Sequence, residues 1–247
     1  MTPLLDVKDL NVAYGGVQAV NNVSLSAEHG RIIGLIGPNG AGKTSLIDAI
    51  TGFAPYTGTV SFRGRPIDDL SAHQRARRGL RRTFQEGELI DGLNVAANVE
   101  VAVGEHRWWQ PLIDLLAPQT YLQGKQTQTA LELLEIAGLA HSDPTRLSHG
   151  QRKLVGVARA VVANPDLLIL DEPAAGLDSS ETDQFSRQLV RLRDQGAGIL
   201  LVDHDTDLVF DVCDEVFVLD VGQIIAKGVP AAVRNDATVI RAYLGTA

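Results

Sequence analysis

The run Gly37-Pro38-Asn39-Gly40-Ala41-Gly42-Lys43-Thr44-Ser45 stands between two segments of different period. Before it, RIIGLI (31–36) is continuously apolar, as in a strand buried on both faces. After it, TSLIDAITG (44–52) carries apolar residues at helical spacing and stops at Gly52. A glycine-rich turn held between such a strand and a helix lets successive backbone N–H groups point at one anion, with the positive helix end behind them. The spacing is GxxxxGK[ST], in which the lysine follows the β and γ phosphates of a nucleotide and the hydroxyl of Thr44 ligates Mg2+. It is not GxGxxG, so a dinucleotide fold is not expected. A turn that only caps a helix is the alternative, and the flanking strand and helix weigh against it.

Outward from this turn, LLDVKDLNVAY (4–14) alternates and stops at Gly15 and Gly16, NVSLSAEHG (22–30) alternates again, and TGTVSFRG (57–64) reads as another strand. Ser71 with Gln74 forms a capping box for AHQRARRG (72–79), and the five arginines of RARRGLRR (75–82) read as a solvated helix face. From about 94 to 136 the pattern is helical around a loosely patterned insert at 105–125. Beyond it LLILD (167–171), a helix from about Ser180 to Gln195, GILLVD (198–203), DLVFDVC (207–213) and EVFVL (215–219) alternate, which implies a parallel sheet covered by helices.

The 247 residues, 45% of them hydrophobic, suffice for one domain with an appended subdomain. A net charge of −8 disfavours nucleic acid as the main partner, which needs a broad cationic face. The single cysteine, Cys213, excludes an intrachain disulfide and fits a reducing compartment. MTPLLDVKDL shows no basic region followed by an apolar stretch, and no apolar run approaches the ~18 residues of a spanning helix. The expectation is a soluble chain, any membrane role of which must come through a partner.

Asp171 ends the buried run LLILDEP, at the carboxyl end of a strand, where ligands gather in open parallel sheets, and is placed to hold Mg2+ through water. Glu172 beside it is the natural base to polarise an attacking water. By itself LDEP is a strand end entering a loop; next to a phosphate turn it gains chemical meaning. GILLVDHD brings His204 to another strand exit, able to reach a γ phosphate or orient the water. Gln85, after RRTF, carries nothing alone. LSHGQRK (147–153) is a second helix start suited to an anion, which leaves one chain with two such sites.

In this order, Gly37 to Thr44, Gln85, LSHGQ, LLILDEPAAGLD (167–178) and His204 resemble the nucleotide-binding subunit of ATP-binding cassette (ABC) transporters, over essentially the whole chain. The resemblance implies an α/β fold: a RecA-like P-loop NTPase core at about 1–85 and 161–247, an antiparallel β region, and a helical subdomain at about 86–160 that presents LSHGQ. It implies ATP and Mg2+ as ligands, with Gly37, Pro38, Asn39, Gly40, Ala41, Gly42, Lys43, Thr44 and Ser45 on the phosphates and Tyr14 stacked on adenine. Thr44, Gln85 and Asp171 serve the metal, and Glu172, His204 and Gln85 serve catalysis.

Two helix starts are explained the same way. LSHGQ corresponds to the family's LSGGQ signature, which closes on the γ phosphate held by the opposite subunit, so Ser148, Gly150 and Gln151 match and His149 departs from the usual glycine. Gly176, Leu177 and Asp178 form the loop between subunits. The implied partners are a second ATPase subunit, identical or related, transmembrane permease subunits and a solute-binding protein, with the chain cytoplasmic and peripheral on the inner face of the membrane. EGELIDGL (86–93) is expected beside the groove that takes a cytoplasmic helix of the permease, with Leu89 as its contact. DEPAAGL, the helical insert and VIRAYLG (239–245) look like the ATPases of branched-chain amino acid, amide or urea importers; lipopolysaccharide or lipid export is the alternative, followed by a non-transport ABC ATPase acting on nucleic acid. No nucleic acid is expected.

Overall fold

The computed structural model of the chain describes residues 3–83, 89–103, 120–204 and 206–244. Gln85, residues 86–88 of EGELIDGL and most of the 105–125 insert lie outside the described residues. Two sheets organise the rest. β1 (Leu5–Tyr14) and β2 (Val17–Ala27) form a hairpin, β4 (Thr57–Phe62) pairs with the other edge of β1, and β5 (Arg65–Pro66) follows it, all antiparallel. The second sheet takes β3 (Ile32–Ile36), β6 (Leu80–Arg82), β7 (Leu167–Asp171), β8 (Gly198–Val202), β9 (Glu215–Asp220) and β10 (Gln223–Gly228) in the order β10-β9-β3-β8-β7-β6. Every pairing in it is parallel except the β9–β10 hairpin.

Parallel neighbours need crossovers, and helices supply them. α1 (Lys43–Thr51) follows β3, α2 (Ala72–Arg77) precedes β6, α5 (His149–Val161) precedes β7, α6 (Ser179–Asp194) joins β7 to β8, and α7 (Thr206–Val212) joins β8 to β9. α3 (Val95–Glu100) and α4 (Thr120–Leu133) lie before α5, and α8 (Pro230–Arg234) and α9 (Ala237–Leu244) follow β10. β3, β7 and β8 are buried at every residue, which is why they read as apolar runs rather than alternations. The period-two rule then splits β3 between two cores. Ile33 and Leu35 face α1 and the antiparallel sheet, while Ile32 and Ile36 face a core that runs through Leu131, Val155 and Phe185.

The Ser71–Gln74 capping box forms as expected, but the arginines after it do not make one solvated face. Arg75 is 2% exposed and donates to the carbonyls of Ala49 and Ile50, at the last turn of α1, and to those of Leu70 and Asp68. A helix end leaves such carbonyls without intrahelical partners, so the guanidinium supplies what α1 lacks. Arg82 lies on β6 and is also buried, whereas Arg77 and Arg78 are exposed. Leu89 likewise departs from expectation: at 6% exposure it belongs to the core. The turn that follows is held by Asn98, which accepts from the N–H of Ile90 and donates to the carbonyls of Ile90, Leu93 and Asn94. Ile90, 41% exposed, and Val101 are the apolar side chains this region offers to solvent.

Arg75→Met is expected to lower stability by about 3 kcal/mol, because it removes a buried charged donor shared by the carbonyls of Ala49, Ile50, Leu70 and Asp68 and leaves that of Ile50 buried without its donor. Arg78→Met, at an exposed position, should change it by less than ~0.5 kcal/mol. Urea unfolding of the two variants checks this, and equal midpoints would show that Arg75 is not a structural tie.

Candidate active site

The phosphate turn leaves β3 and is squeezed between the two sheets. Gly42 has a φ of 104°, and a Cβ there would lie 2.3 Å from the carbonyl oxygen of Ala19 on β2. A Cβ on Gly37 would lie 2.0 Å from the carbonyl oxygen of Leu219 on β9. Only glycine fits either place, so the spacing of the motif follows from packing as well as from phosphate access. α1 then starts without any side-chain cap on its first-turn N–H groups. Lys43 folds back over the turn, its Nζ donating to the carbonyls of Gly37 at 2.7 Å and Pro38 at 3.1 Å. Burial holds its ammonium below the ordinary lysine range, against the opposing pull of Glu172, Asp171 and Asp203. The lysine is thus a buried cation on two neutral carbonyls, facing three carboxylates.

Those carboxylates stand at the exits of the neighbouring strands. β8 lies beside β3 and β7 beside β8, so residues just past their ends are brought within a few strand spacings of the turn. Asp171 closes β7, is nearly fully buried, and is pushed up from the ordinary carboxylate range by that burial, with Arg82 opposing the shift. Its Oδ2 accepts from Arg82 Nη2 at 2.9 Å, and its N–H donates to Thr83 Oγ1 at 3.3 Å. Glu172 follows with φ at 48°, a left-handed backbone that costs a non-glycine residue roughly 1–2 kcal/mol. Three bonds hold it there: its N–H donates to Val202 O at 2.7 Å, and its carbonyl accepts from Lys153 Nζ at 2.8 Å and from the Ala175 N–H at 3.4 Å. The turned backbone leaves the Glu172 carboxylate partly exposed near His204, whose Nδ1 lies 4.0 Å from Glu172 Oε1 and 3.5 Å from Asp203 Oδ1. Asp203 is fully buried and accepts from the N–H of Ala174 at 3.2 Å.

The second helix start is built differently. Ser148 caps α5 with a capping box: Ser148 Oγ accepts from the Gln151 N–H at 3.1 Å, and Gln151 Oε1 accepts from the Ser148 N–H at 3.0 Å. Asp178 and Glu181 repeat the device at the start of α6. The two starts touch. A Cβ on Gly150 would lie 2.6 Å from Leu177 Cδ2, and one on Gly176 would lie 2.9 Å from the His149 ring. Ser148 and His149 are themselves exposed.

The structure therefore brings Lys43, Asp171, Glu172 and His204 together beside Thr44 and Ser45, and groups Ser148, His149, Gly150 and Gln151 with Gly176 and Asp178 instead. Tyr14 is half-exposed at the tip of the β1–β2 hairpin, whose second strand meets the turn at Ala19. Sequence reasoning missed Asp203, Lys153, Arg82 and Asp48. Asp203 could have been noticed as the last residue of GILLVD, but Lys153 and Arg82 act on groups far away in the chain.

Among the described residues, no group of three or more His, Cys, Asp and Glu side chains could hold a metal ion by itself. A hydroxyl, one carboxylate with a free oxygen and a lysine over a phosphate turn instead fit Mg2+ that brings phosphate and water oxygens with it. No helix of the described residues is long and apolar enough to cross a membrane.

Comparison with known proteins agrees with this geometry. The family described as ABC transporter matches residues 20–175, and the one described as Branched-chain amino acid ATP-binding cassette transporter matches residues 223–247. The chain is 39% identical over 252 residues to the high-affinity branched-chain amino acid transport ATP-binding protein LivG of Salmonella typhimurium, covering 99% of each. It is 36% identical over 242 residues to the lipopolysaccharide export system ATP-binding protein LptB of Escherichia coli, covering 98% of this chain and 97% of that one. The solved structure of MJ1267, an ATP-binding cassette of an ABC transporter, in its ADP conformation superposes with a TM-score of 0.86 at 29% identity, covering all of both chains. With the phosphate turn, the strand-end carboxylates and the RecA-like sheet in these positions, the chain belongs to the ATP-binding subunits of ABC transporters and is similar to those of the branched-chain amino acid group.

Proposed function

We propose that this chain is the ATP-hydrolysing subunit of an importer whose solute is a branched-chain amino acid or a related amide or urea. The convergence of Lys43 with Asp171, Glu172 and His204 at the exits of three adjacent strands carries the hydrolytic part. The match at 223–247 and the likeness to LivG support the import part. Lipopolysaccharide export is the second reading, favoured by the likeness to LptB.

On this proposal Lys43 exchanges the carbonyls of Gly37 and Pro38 for β- and γ-phosphate oxygens, while the backbone N–H groups of 39–45 wrap the phosphates. Thr44, Gln85 and, through water, Asp171 would hold Mg2+, which would supply charge neutralisation to the phosphates. Glu172 takes the proton of the attacking water as its oxygen bonds to the γ phosphorus and the bond to the bridging oxygen of ADP breaks. His204, next to Glu172, orients that water or the γ phosphate. Tyr14 stacks on adenine. The start at Ser148, Gly150 and Gln151 closes on the nucleotide of a second subunit, identical or related, with Asp178 in the loop between them. The RecA-like core would then span about 1–85 and 161–247 and the helical part about 86–160. The chain would work in the cytoplasm on the inner face of the membrane, with permease subunits and a solute-binding protein.

Glu172→Gln should bind ATP as the wild type does and hydrolyse it ~10² times more slowly, the usual cost of losing a general base; near-normal turnover would refute the assignment. Lys43→Ala should weaken ATP binding at least about tenfold, or ~1.4 kcal/mol, in a titration with a fluorescent nucleotide. Ser148→Arg should bind ATP and not hydrolyse it, and mixing it with Lys43→Ala should restore part of the activity, because one site of the mixed pair then escapes both defects. His149→Gly leaves the Ser148–Gln151 cap intact and should keep much of the activity. Ile90→Arg, in place of a change at buried Leu89, should spare ATPase activity of the free subunit and block its co-purification with the permease.

A further inference from the structure

We infer that Arg82 is a positioning residue for the metal: it ties the helix that carries Thr44 to the carboxylate of Asp171, and so sets the two sides of the Mg2+ site against each other. This rests on the reading of Thr44 and Asp171 proposed above. Arg82 came to notice as part of an arginine run, yet its side chain is only 7% exposed and pairs with two acids on different elements. Nη1 pairs with Asp48 Oδ1, and Nη2 with Asp171 Oδ2 at 2.9 Å. Asp48 lies four residues after Thr44 on α1, one turn along the same helix face. The guanidinium is planar and forked, so two carboxylates on its two ends are fixed in separation and in plane, which a lysine would not do.

The tie also decides which oxygen of Asp171 remains. With Oδ2 on Arg82, Oδ1 is the oxygen left to meet a water in the metal's shell. The next residue adds a second hold, since Thr83 Oγ1 accepts from the Asp171 N–H and the Thr83 N–H donates to Ile169 O at 2.9 Å. Arg82 and Thr83 thus grip Asp171 at both side chain and backbone. Partners that orient a metal-binding carboxylate typically change metal affinity 10–100-fold when removed. Without Arg82, two acids would face a vacated, buried position, and Asp171 would be free to turn.

The test separates metal binding from nucleotide binding in the full chain. Affinity for a fluorescent ATP analogue is measured in EDTA, and affinity for Mn2+ is measured by electron paramagnetic resonance with ATP at saturation, for the wild type, Arg82→Met, Arg82→Lys and Asp48→Asn. Arg82→Met is expected to lose about tenfold or more in Mn2+ affinity, in the range for such partners, with its metal-free ATP affinity nearly unchanged. Arg82→Lys should recover part of the loss, and Asp48→Asn, which leaves the arm on Asp171, should lose less than Arg82→Met. Mn2+ affinity that is unchanged or raised in Arg82→Met would overturn the inference, as would equal loss of both affinities, which marks a general collapse of the site. Should Arg82→Met fail to fold, wild-type Mn2+ affinity in Arg82→Lys overturns it. A wild type that binds no ATP would instead sink the reading of the phosphate turn.

Discussion

The site depends on a squeeze. The turn from Gly37 to Gly42 is pressed between the carbonyl of Leu219 on β9 and the carbonyl of Ala19 on β2, and backbone bonds stitch the three together: Gly222 N–H to Ala41 O at 2.9 Å and Asn21 N–H to Gly222 O at 2.8 Å. The antiparallel sheet supplies no catalytic side chain of its own, yet it fixes the curvature on which phosphate binding rests. A side chain at either glycine would have to displace backbone rather than a flexible tip, which close-packed interiors do not absorb cheaply. That is why the β1–β2 hairpin, with Tyr14 at its tip, and the parallel sheet behave as one support.

Where strands are buried on both faces, the sequence was easy to read. IIGLI, LLILD and GILLV have no polar residue until they end, so the residues that follow each run mark the same edge of the sheet. β6 and β10 gave no such signal: β6 is a three-residue edge strand with two arginines, and β10 is mostly half-buried on the other edge. Leu89 and Arg75 show the limit from opposite directions. The family resemblance places the leucine beside a surface groove and local pattern places the arginine in solvent, and both are buried, because the core at Leu89 and the carbonyls at Arg75 come from segments that local pattern cannot see.

The same reason explains the missed residues of the site. Lys153 stands within LSHGQRK, but its partner is the carbonyl of Glu172, and only the fold shows that this bond holds the glutamate in a left-handed backbone. α5 and Glu172 are therefore one mechanical unit within the chain. Movement of α5 would act on Glu172 directly, through a single charged hydrogen bond.

On the proposed pairing, the closed capping boxes at Ser148 and Asp178 would bear on how two subunits recognise each other. Each start already satisfies donors of its own first turn, so a lone chain does not display a strongly unsatisfied anion trap at its surface. Free phosphate would gain little from docking there. A phosphate already clamped in a neighbour's glycine turn arrives at high effective concentration and needs only the donors that remain. Association built this way would read out occupancy of the nucleotide pocket, and empty subunits would have weak reason to stay together.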